Sequence, residues 1–170
     1  MPRLVDLNVV RYDWVPGAAG LTTPSIPKVT ELVAGTVKAL SPYVVTTTSL
    51  VPTASDTITE KGITDTSNAV VPTINNFEGS LVLFRDYTTG VPTANDPLTT
   101  IGSASGVVGW IVVRRGLPAS TAWAVSQKVD VFYVMTDSPI QTGGQSDGYL
   151  KVTIPLLQQG QMYLNVSTQA

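Results

Sequence analysis

Residues 107–115 read Val-Val-Gly-Trp-Ile-Val-Val-Arg-Arg, and the first seven of them form the longest nearly apolar run of the chain. Valine, isoleucine and tryptophan are enriched in β-strands because their side chains fit a pleated, half-buried surface. A strand with one face in water alternates apolar and polar side chains, whereas this run is apolar at odd and even positions alike. The stretch therefore predicts a β-strand that is covered on both faces.

Other segments show the same preference for strand structure. The clearest are residues 77–86, 128–136 and 149–154, in which apolar side chains recur at every second position. Weaker candidates are residues 4–10, 43–48, 56–59 and 162–167. The glycine-rich residues 143–148 are predicted to join two strands as a hairpin.

Two short helices are expected between the strands. Asp96 before Pro97 is typical of a helix start, because the carboxylate caps the first turn and proline fits the first helical position. Glycines follow closely, so this helix is confined to residues 95–104. A second helical turn is expected at residues 29–34, between Pro27 and Gly35.

The composition supports a mainly β domain. The 170 residues include 24 valines and 23 threonines, with 14 glycines and 12 prolines spread along the chain as turn residues. Many short strands separated by turn residues favour a β-sandwich or a barrel. The length suits a single domain that can bury a core without disulfides.

The composition also excludes several classes of chemistry. The sequence has no cysteine and no histidine, which rules out thiolate nucleophiles, Cys/His zinc sites and the Ser-His-Asp triad. A formal net charge of −2 argues against a basic nucleic-acid-binding surface. No run approaches the ~20 apolar residues of a membrane-spanning helix. We predict a soluble, non-enzymatic protein with no catalytic, cofactor-binding or metal-binding residues and no membrane insertion.

Residues 13–28 and 46–71 lack regular periodicity and are long for loops of a compact domain. Such loops are usually functional, so both are predicted to be segments that contact another molecule. Trp14 and Trp123 lie in or near predicted turns and are candidate interface residues, since tryptophan is enriched at binding hot spots; packing within the subunit is the alternative. Trp110, by contrast, is predicted to lie in the core.

Arg114 and Arg115 are adjacent in a predicted strand and should point to opposite faces. One of them is expected to pair with a carboxylate on a neighbouring strand, such as Asp86 or Asp130. The other is a candidate for contact with a phosphate or with another subunit. The alternative interpretation is an ion pair at the end of the strand, without contact to another molecule.

Five stretches follow one another in a characteristic order between residues 26 and 137: IPKVTELVAGT (26–36), SDTIT (55–59), EGSLVLFRD (78–86), GWIVVRRG (109–116) and KVDVFYV (128–134). This order of features resembles that of the major tail tube proteins of long-tailed, siphovirus-type bacteriophages, especially those of actinobacterial hosts. One departure is Gln127-Lys128, where the family usually has Gly-Asp before the late strand.

The resemblance implies a fold of two packed antiparallel sheets with one short flanking helix and extended arms. It implies one tail-tube domain over residues 1–170, with an N-terminal arm (1–28), a long loop (46–71), the helix (95–104) and a C-terminal strand or arm (155–170). It further implies rings of six copies that stack into a tube of the virion tail, assembled in the host cytoplasm. The implied partners are the tape-measure protein and then DNA in the channel, with tail terminator and distal tail proteins at the ends.

Two expectations follow from this resemblance. The channel should be polar with a net negative potential, because each neutralised phosphate would strengthen the binding of passing DNA. Deletion of residues 1–16 should leave a folded subunit that fails to polymerise. The alternatives are a capsid-decoration or head–tail connector protein, and a carbohydrate-binding or adhesion module, which would need a row of exposed aromatic side chains.

Overall fold

The computed structural model describes residues 8–60, 69–142 and 148–170, and within these ranges the protein is mainly β. Two α-helices are present there, α1 (Val29–Leu32) and α2 (Pro97–Ile101), and a 3-10 turn spans Ala18–Gly20. The strands of the described ranges are β1 (Val10–Pro16), β2 (Lys38–Ala39), β3 (Ser49–Pro52), β4 (Asp56–Glu60), β5 (Ala69–Ile74), β6 (Phe77–Phe84), β7 (Tyr87–Thr88), β8 (Val91–Pro92), β9 (Val108–Arg115), β10 (Lys128–Thr136), β11 (Ile140–Thr142), β12 (Lys151–Gln158) and β13 (Tyr163–Ser167).

Nine of these strands form one antiparallel sheet. Seven of them follow one another in the order β2-β1-β9-β10-β12-β6-β3, and β11 and β13 pair with strands of this path. The sheet branches at β10, whose first residues pair with β13 and whose last residues pair with β12. Strand β11 adds to the outer side of β12. The remaining strands form two separate ribbons, β4–β5 and β7–β8.

The larger core lies between the two halves of the branched sheet. Phe77 on β6 meets Phe132 on β10 edge to face, with ring centroids 5.2 Å apart. Edge-to-face pairs of this kind stabilise a core beyond the burial of their area. This core combines side chains from both halves, as expected for a sandwich: Trp14 and Ile111 from one, Leu81, Leu83, Val152 and Ile154 from the other.

A second core covers the opposite face of β9 and β10. Trp110 and Val112 of β9 pack there against Leu21, against Leu32 of α1, and against Trp123. The predicted strand over residues 107–115 is therefore confirmed, and both of its faces are covered. The side-chain alternation of a strand explains the double burial, because odd residues enter one core and even residues the other.

Gly109 is required where β9 passes under Trp14. A Cβ atom at this position would lie 2.4 Å from Cζ2 of the Trp14 ring, which is closer than carbon atoms can approach. Glycine in a strand often marks such a close contact. Gly109 thus allows the Trp14 side chain of the larger core to lie directly on the sheet.

Most of the strand predictions are confirmed. Residues 77–86 and 128–136 contain β6 and β10. Of the weaker candidates, residues 56–59 contain most of β4 and residues 162–167 contain β13. The strand predicted at 149–154 begins at Lys151 and continues to Gln158. The hairpin expected around residues 143–148 is supported by the antiparallel pairing of β11 with β12, although residues 143–147 lie outside the described ranges.

The predicted helices are also confirmed. The Asp96 side chain accepts a hydrogen bond from the Leu98 N–H, and Pro97 occupies the first turn of α2. The turn expected at 29–34 is α1, whose Leu32 side chain is buried.

The strand predicted at residues 43–48 is wrong. The N–H groups of Tyr43 and Val44 donate to the Leu40 carbonyl, so the chain turns here, with one isolated bridge from Val44 to Leu83. The candidate at residues 4–10 lies largely outside the described ranges, and the observed strand β1 begins only at Val10.

The N-terminal arm is a second correction. Residues 10–16, predicted to belong to an irregular arm, form β1 in the interior of the sheet between β2 and β9. Trp14 enters the larger core and Val15 the second core. The strand is not evident from the sequence because the charged Arg11 and Asp13 are typical of exposed segments. In the fold these two side chains form an ion pair, with 2.9 Å between Nη2 of Arg11 and Oδ2 of Asp13.

The long loop predicted at residues 46–71 is a third correction. Its first part is β3, which pairs with β6, and its second part is β4, which pairs with β5. Only residues 61–68 of this segment lie outside the described ranges.

Replacing Trp110 with alanine should lower the free energy of unfolding by about 3–5 kcal/mol, the usual effect of truncating a buried aromatic side chain. Trp110 is 7% exposed, donates from Nε1 to the Ala18 carbonyl at 3.1 Å, and stacks on Tyr133. Chemical denaturation of the variant measures the loss, with the exposed Val125→Ala change as control. An unchanged denaturation midpoint would contradict the position of Trp110 in the core.

Candidate assembly surfaces

A buried polar cluster surrounds Trp123. Its indole Nε1 donates to Asp13 Oδ2 at 2.7 Å, and the guanidinium carbons of Arg11 and Arg114 lie 4.8 and 4.9 Å from its ring centroid. Cations at this distance from an aromatic face are attracted to it. Trp123 is therefore held within the subunit by three charged groups.

Arg114 is buried in the same cluster. Its guanidinium donates to the Pro118 carbonyl at 2.8 Å and to Gln127 Oε1 at 3.0 Å. Burial lowers the pKa of Arg114 and the charge of Arg11 lowers it further, while the charge of Asp13 raises it. These contacts give Arg114 a role in packing the segment that follows β9.

Three of the four residues predicted to contact another subunit are thus buried within the single subunit. Trp14 is fully buried in the larger core, and Trp123 and Arg114 are buried in the cluster just described. Arg115 alone has a half-exposed side chain, and it pairs with Asp130 on β10, as the ion-pair reading predicted. The two arginines point to opposite faces as expected, and contact with another subunit stays a prediction for Arg115.

The β4–β5 ribbon exposes four large apolar side chains. Ile58, Val70, Val71 and Ile74 are each between 52% and 58% exposed. None of the described ribbon residues belongs to either core. A two-stranded ribbon is only marginally stable in water, so this arrangement favours a partner that covers it.

A cavity of about 620 Å³ lies beyond the other end of β6, close to Arg85. It is open to solvent and is bordered by the β7–β8 ribbon, α2 and the edge strand β11. Its lining includes Arg85, Tyr87, Leu98, Thr99, Ser103 and Gln141.

Arg85 is fixed at this cavity by Asp96. Nε of Arg85 donates to Asp96 Oδ1 at 2.8 Å, and the side chains are 5% and 0% exposed. Burial acts to raise the pKa of Asp96, but the hydrogen bonds from Arg85, Asp86 and Leu98 outweigh it, so the pKa of Asp96 is lowered. One terminal nitrogen of Arg85, Nη1, is buried without a hydrogen-bond acceptor. This nitrogen is therefore enclosed by protein atoms, while Nε of the same guanidinium is satisfied by Asp96.

The sequence from residue 1 to residue 170 matches the family model described as phage tail tube protein. The chain belongs to the phage tail tube protein family. No individual curated protein matches it. As a tail tube protein it is a structural component of a phage tail, and its exposed ribbon and the Arg85 cavity are candidate surfaces for assembly.

The described residues of this tail tube protein include no acidic metal cluster, no membrane-spanning helix and two exposed aromatic side chains. No group of three or more acidic residues there is placed to hold a metal ion. No helix among the described residues is long and apolar enough to cross a membrane. Tyr87 and Tyr149 are the exposed aromatic side chains in those ranges, and two residues do not make the row expected of a carbohydrate-binding module.

Sequence reasoning missed both surfaces. The ribbon was predicted only in part: residues 56–59 were a weak strand candidate inside a segment predicted as a long loop, and β5 was missed, although Val70-Val71 opposite Ile58 was a signal for strand pairing. The cavity combines residues from 85–103 with Gln141, which only the pairing of β11 with β12 and β12 with β6 brings together. No local pattern in the sequence predicts that convergence.

Proposed function

We propose that this tail tube protein forms rings of six copies, and that the rings stack into a hollow tube. The tube holds the tape-measure protein and later conducts DNA. The observation that carries this proposal is the β4–β5 ribbon, which exposes four large apolar side chains in the single subunit. An apolar surface of this kind is expected to be buried against another molecule, and the family match favours a second copy.

The sheet has open edges that neighbouring copies can use. In the described ranges β2 and β3 end the main path of the sheet, and each pairs on one side only. An unpaired strand edge is a template for pairing with another chain. A closed ring of identical subunits satisfies these edges and limits growth sideways, whereas head-to-tail contacts between rings permit growth along the axis.

The charge of the subunit suits a conduit for DNA. The chain has 10 basic and 12 acidic residues, and three of the basic residues are in ion pairs with aspartates. With a formal net charge of −2 the subunit has no excess of cations to bind phosphates, and each phosphate bound would slow the passage of DNA. The channel is therefore proposed to be polar with a net negative potential.

The remaining parts of the proposal come from the resemblance of the sequence. They are a siphovirus-type tail, an actinobacterial host, assembly in the host cytoplasm, and contact with tail terminator and distal tail proteins at the tube ends. Arg115 is proposed to contact a neighbouring subunit, since its side chain is 50% exposed at the end of β9.

The proposal is tested by the assembly of the purified protein. Sedimentation of concentrated protein should show large species, and electron microscopy should show tubes or stacked rings with a central hole. A protein that stays monomeric at all salt concentrations, or that binds as single copies to capsid shells, would contradict it and favour a decoration protein.

A further inference from the structure

We propose that Gln158 is a positioning residue for the β4–β5 ribbon: its side-chain amide fixes the direction in which the ribbon leaves the sheet. This direction is a property of the single subunit and does not depend on what covers the ribbon. A fixed ribbon also lowers the concentration that the chain needs for assembly, and this consequence rests on the proposed function.

The main chain of Gln158 is held in the interior of the sheet. Strand β12 pairs with β6 as far as Leu156, and from Leu156 onwards it pairs with β10. Gln158 lies opposite Val134 of β10. The following residue, Gln159, donates its N–H to the Tyr133 carbonyl at 3.0 Å. The side chain of Gln158 therefore projects from a backbone that β10 fixes in place.

The side chain of Gln158 replaces the main-chain pairing that ends where β12 leaves β6. The last pair of this ladder is Leu156 opposite Gly79. The same register, continued by two residues, would put Gln158 opposite Phe77. Instead, Oε1 of Gln158 accepts the Phe77 N–H at 2.8 Å, and Nε2 donates to the Asn75 carbonyl at 3.0 Å. A side-chain amide offers both an acceptor and donors, like the peptide group that it replaces here.

The bonded atoms lie at the junction between the ribbon and the body of the subunit. Strand β5 ends at Ile74 and β6 begins at Phe77, so Asn75 and Asn76 form the link between them. The amide of Gln158 binds on both sides of Asn76 and thereby joins this link to β10.

The other bonds described at this junction do not join the ribbon to β10 or β12. The Thr53 N–H donates to the Asn76 carbonyl at 2.9 Å, and Nδ2 of Asn76 donates to the Ala54 carbonyl at 3.2 Å, which ties the two connecting segments to each other. The described ribbon side chains belong to neither core. An open cleft of about 590 Å³ lies between residues 73–76 and residues 158–161, which gives the ribbon space to swing when the amide is absent.

A fixed direction favours assembly because it removes a cost of ordering. A ribbon that samples many directions loses this freedom when it is buried against another molecule, whereas a preorganised ribbon has already lost it on folding. A subunit with a mobile ribbon therefore needs a higher concentration to assemble.

Distances within the single subunit test the role of Gln158. The chain has no cysteine of its own, so Thr59→Cys on the ribbon and Thr99→Cys on α2 can carry two spin labels. Both threonines are exposed. In dilute, unassembled protein we expect a narrow distribution of distances between the labels. The distribution should become clearly wider after Gln158→Met, which keeps the length of the side chain but has no amide. The matched control Gln161→Met removes an exposed amide at the same cleft and should leave the distribution narrow.

A second variant separates the bonds of the amide. Gln158→Glu keeps an acceptor for the Phe77 N–H but removes the donor to the Asn75 carbonyl. Hydrogen exchange of the Phe77 N–H should therefore stay slow in the glutamate variant and become about tenfold faster in the methionine variant, as expected when one hydrogen bond is lost. The label distances should widen in both variants. Both should still melt cooperatively, because Gln158 belongs to neither core.

The outcomes separate this inference from the proposed tube. A narrow distribution in the Gln158→Met subunit, or an equal widening in the Gln161→Met control, would overturn the positioning role and leave the tube proposal standing. The concentration needed for assembly should rise several-fold in Gln158→Met alone, and an unchanged concentration would overturn the effect on assembly. A wild-type protein that never assembles would overturn the tube, whereas the distances in the single subunit still decide the role of Gln158.

Discussion

A chain that begins at Gly17 is expected to be unfolded. Removing residues 1–16 deletes β1, which pairs along its whole length with β9, from Val10 opposite Arg115 to Pro16 opposite Gly109. It also removes Trp14 and Val15 from the two cores. Loss of the buried tryptophan alone costs about 3–5 kcal/mol, and the total stability of a domain is only about 5–15 kcal/mol.

This expectation reverses the one drawn from the sequence, in which deletion of residues 1–16 leaves a folded subunit that fails to polymerise. Circular dichroism and thermal melting measure the outcome. The matched control is a chain that begins at Asn8, which keeps every described contact of β1 and should melt cooperatively. A cooperative transition in the Gly17 chain, close to that of the full-length protein, would show that β1 is not part of the folding core.

Removal of the β4–β5 ribbon is expected to abolish tube formation while leaving the subunit folded. Residues 56–74 can be replaced by a two-residue Gly-Ser linker, because Asp56 and Ile74 are paired neighbours at the base of the ribbon. The described ribbon side chains belong to neither core, so the melting temperature should change little. Assembly should fall below detection, because the apolar surface proposed to be buried against a second copy is gone.

A milder variant separates loss of the ribbon from loss of its apolar surface. Ile58→Thr with Val71→Thr keeps the strands but removes the paired apolar side chains on one ribbon face, and should weaken assembly by at least tenfold in concentration. Val33→Thr with Val125→Thr changes two equally exposed valines elsewhere and serves as the control. Normal tubes from the ribbon-deleted chain, detected by sedimentation and microscopy, would show that the ribbon is not needed for assembly.

The sequence predicted those parts of the fold in which a strand is visible by itself. Strands β6, β9 and β10 carry enough apolar residues to be recognised, and Asp96-Pro97 marks the start of α2. Strand β1 was missed because Arg11 and Asp13 resemble surface residues, whereas the fold buries Asp13 against the indole of Trp123. A charged side chain can be buried when the fold supplies a hydrogen-bonding partner. The partner of Asp13 is Trp123, which is 110 residues away in sequence.

The candidate surfaces were less predictable than the core. Trp14 and Trp123 were predicted at an interface from their nearness to turns, and both are buried. Strand β5 contains Pro72, which usually argues against a strand, but proline is tolerated in an edge position such as that of the two-stranded ribbon. The Arg85 cavity forms only when strands distant in sequence pair, so no local reading of residues 85–103 shows it.

Identical copies of this chain are proposed to close around a hollow axis and to stack along it, and electron cryomicroscopy of assembled protein, averaged in cross-section down the axis, is the decisive measurement. We expect a ring of six subunits around an open channel, with the β4–β5 ribbon buried against a neighbouring copy. A solid filament, or an open sheet of subunits without rotational symmetry, would show that the chain does not form such a tube.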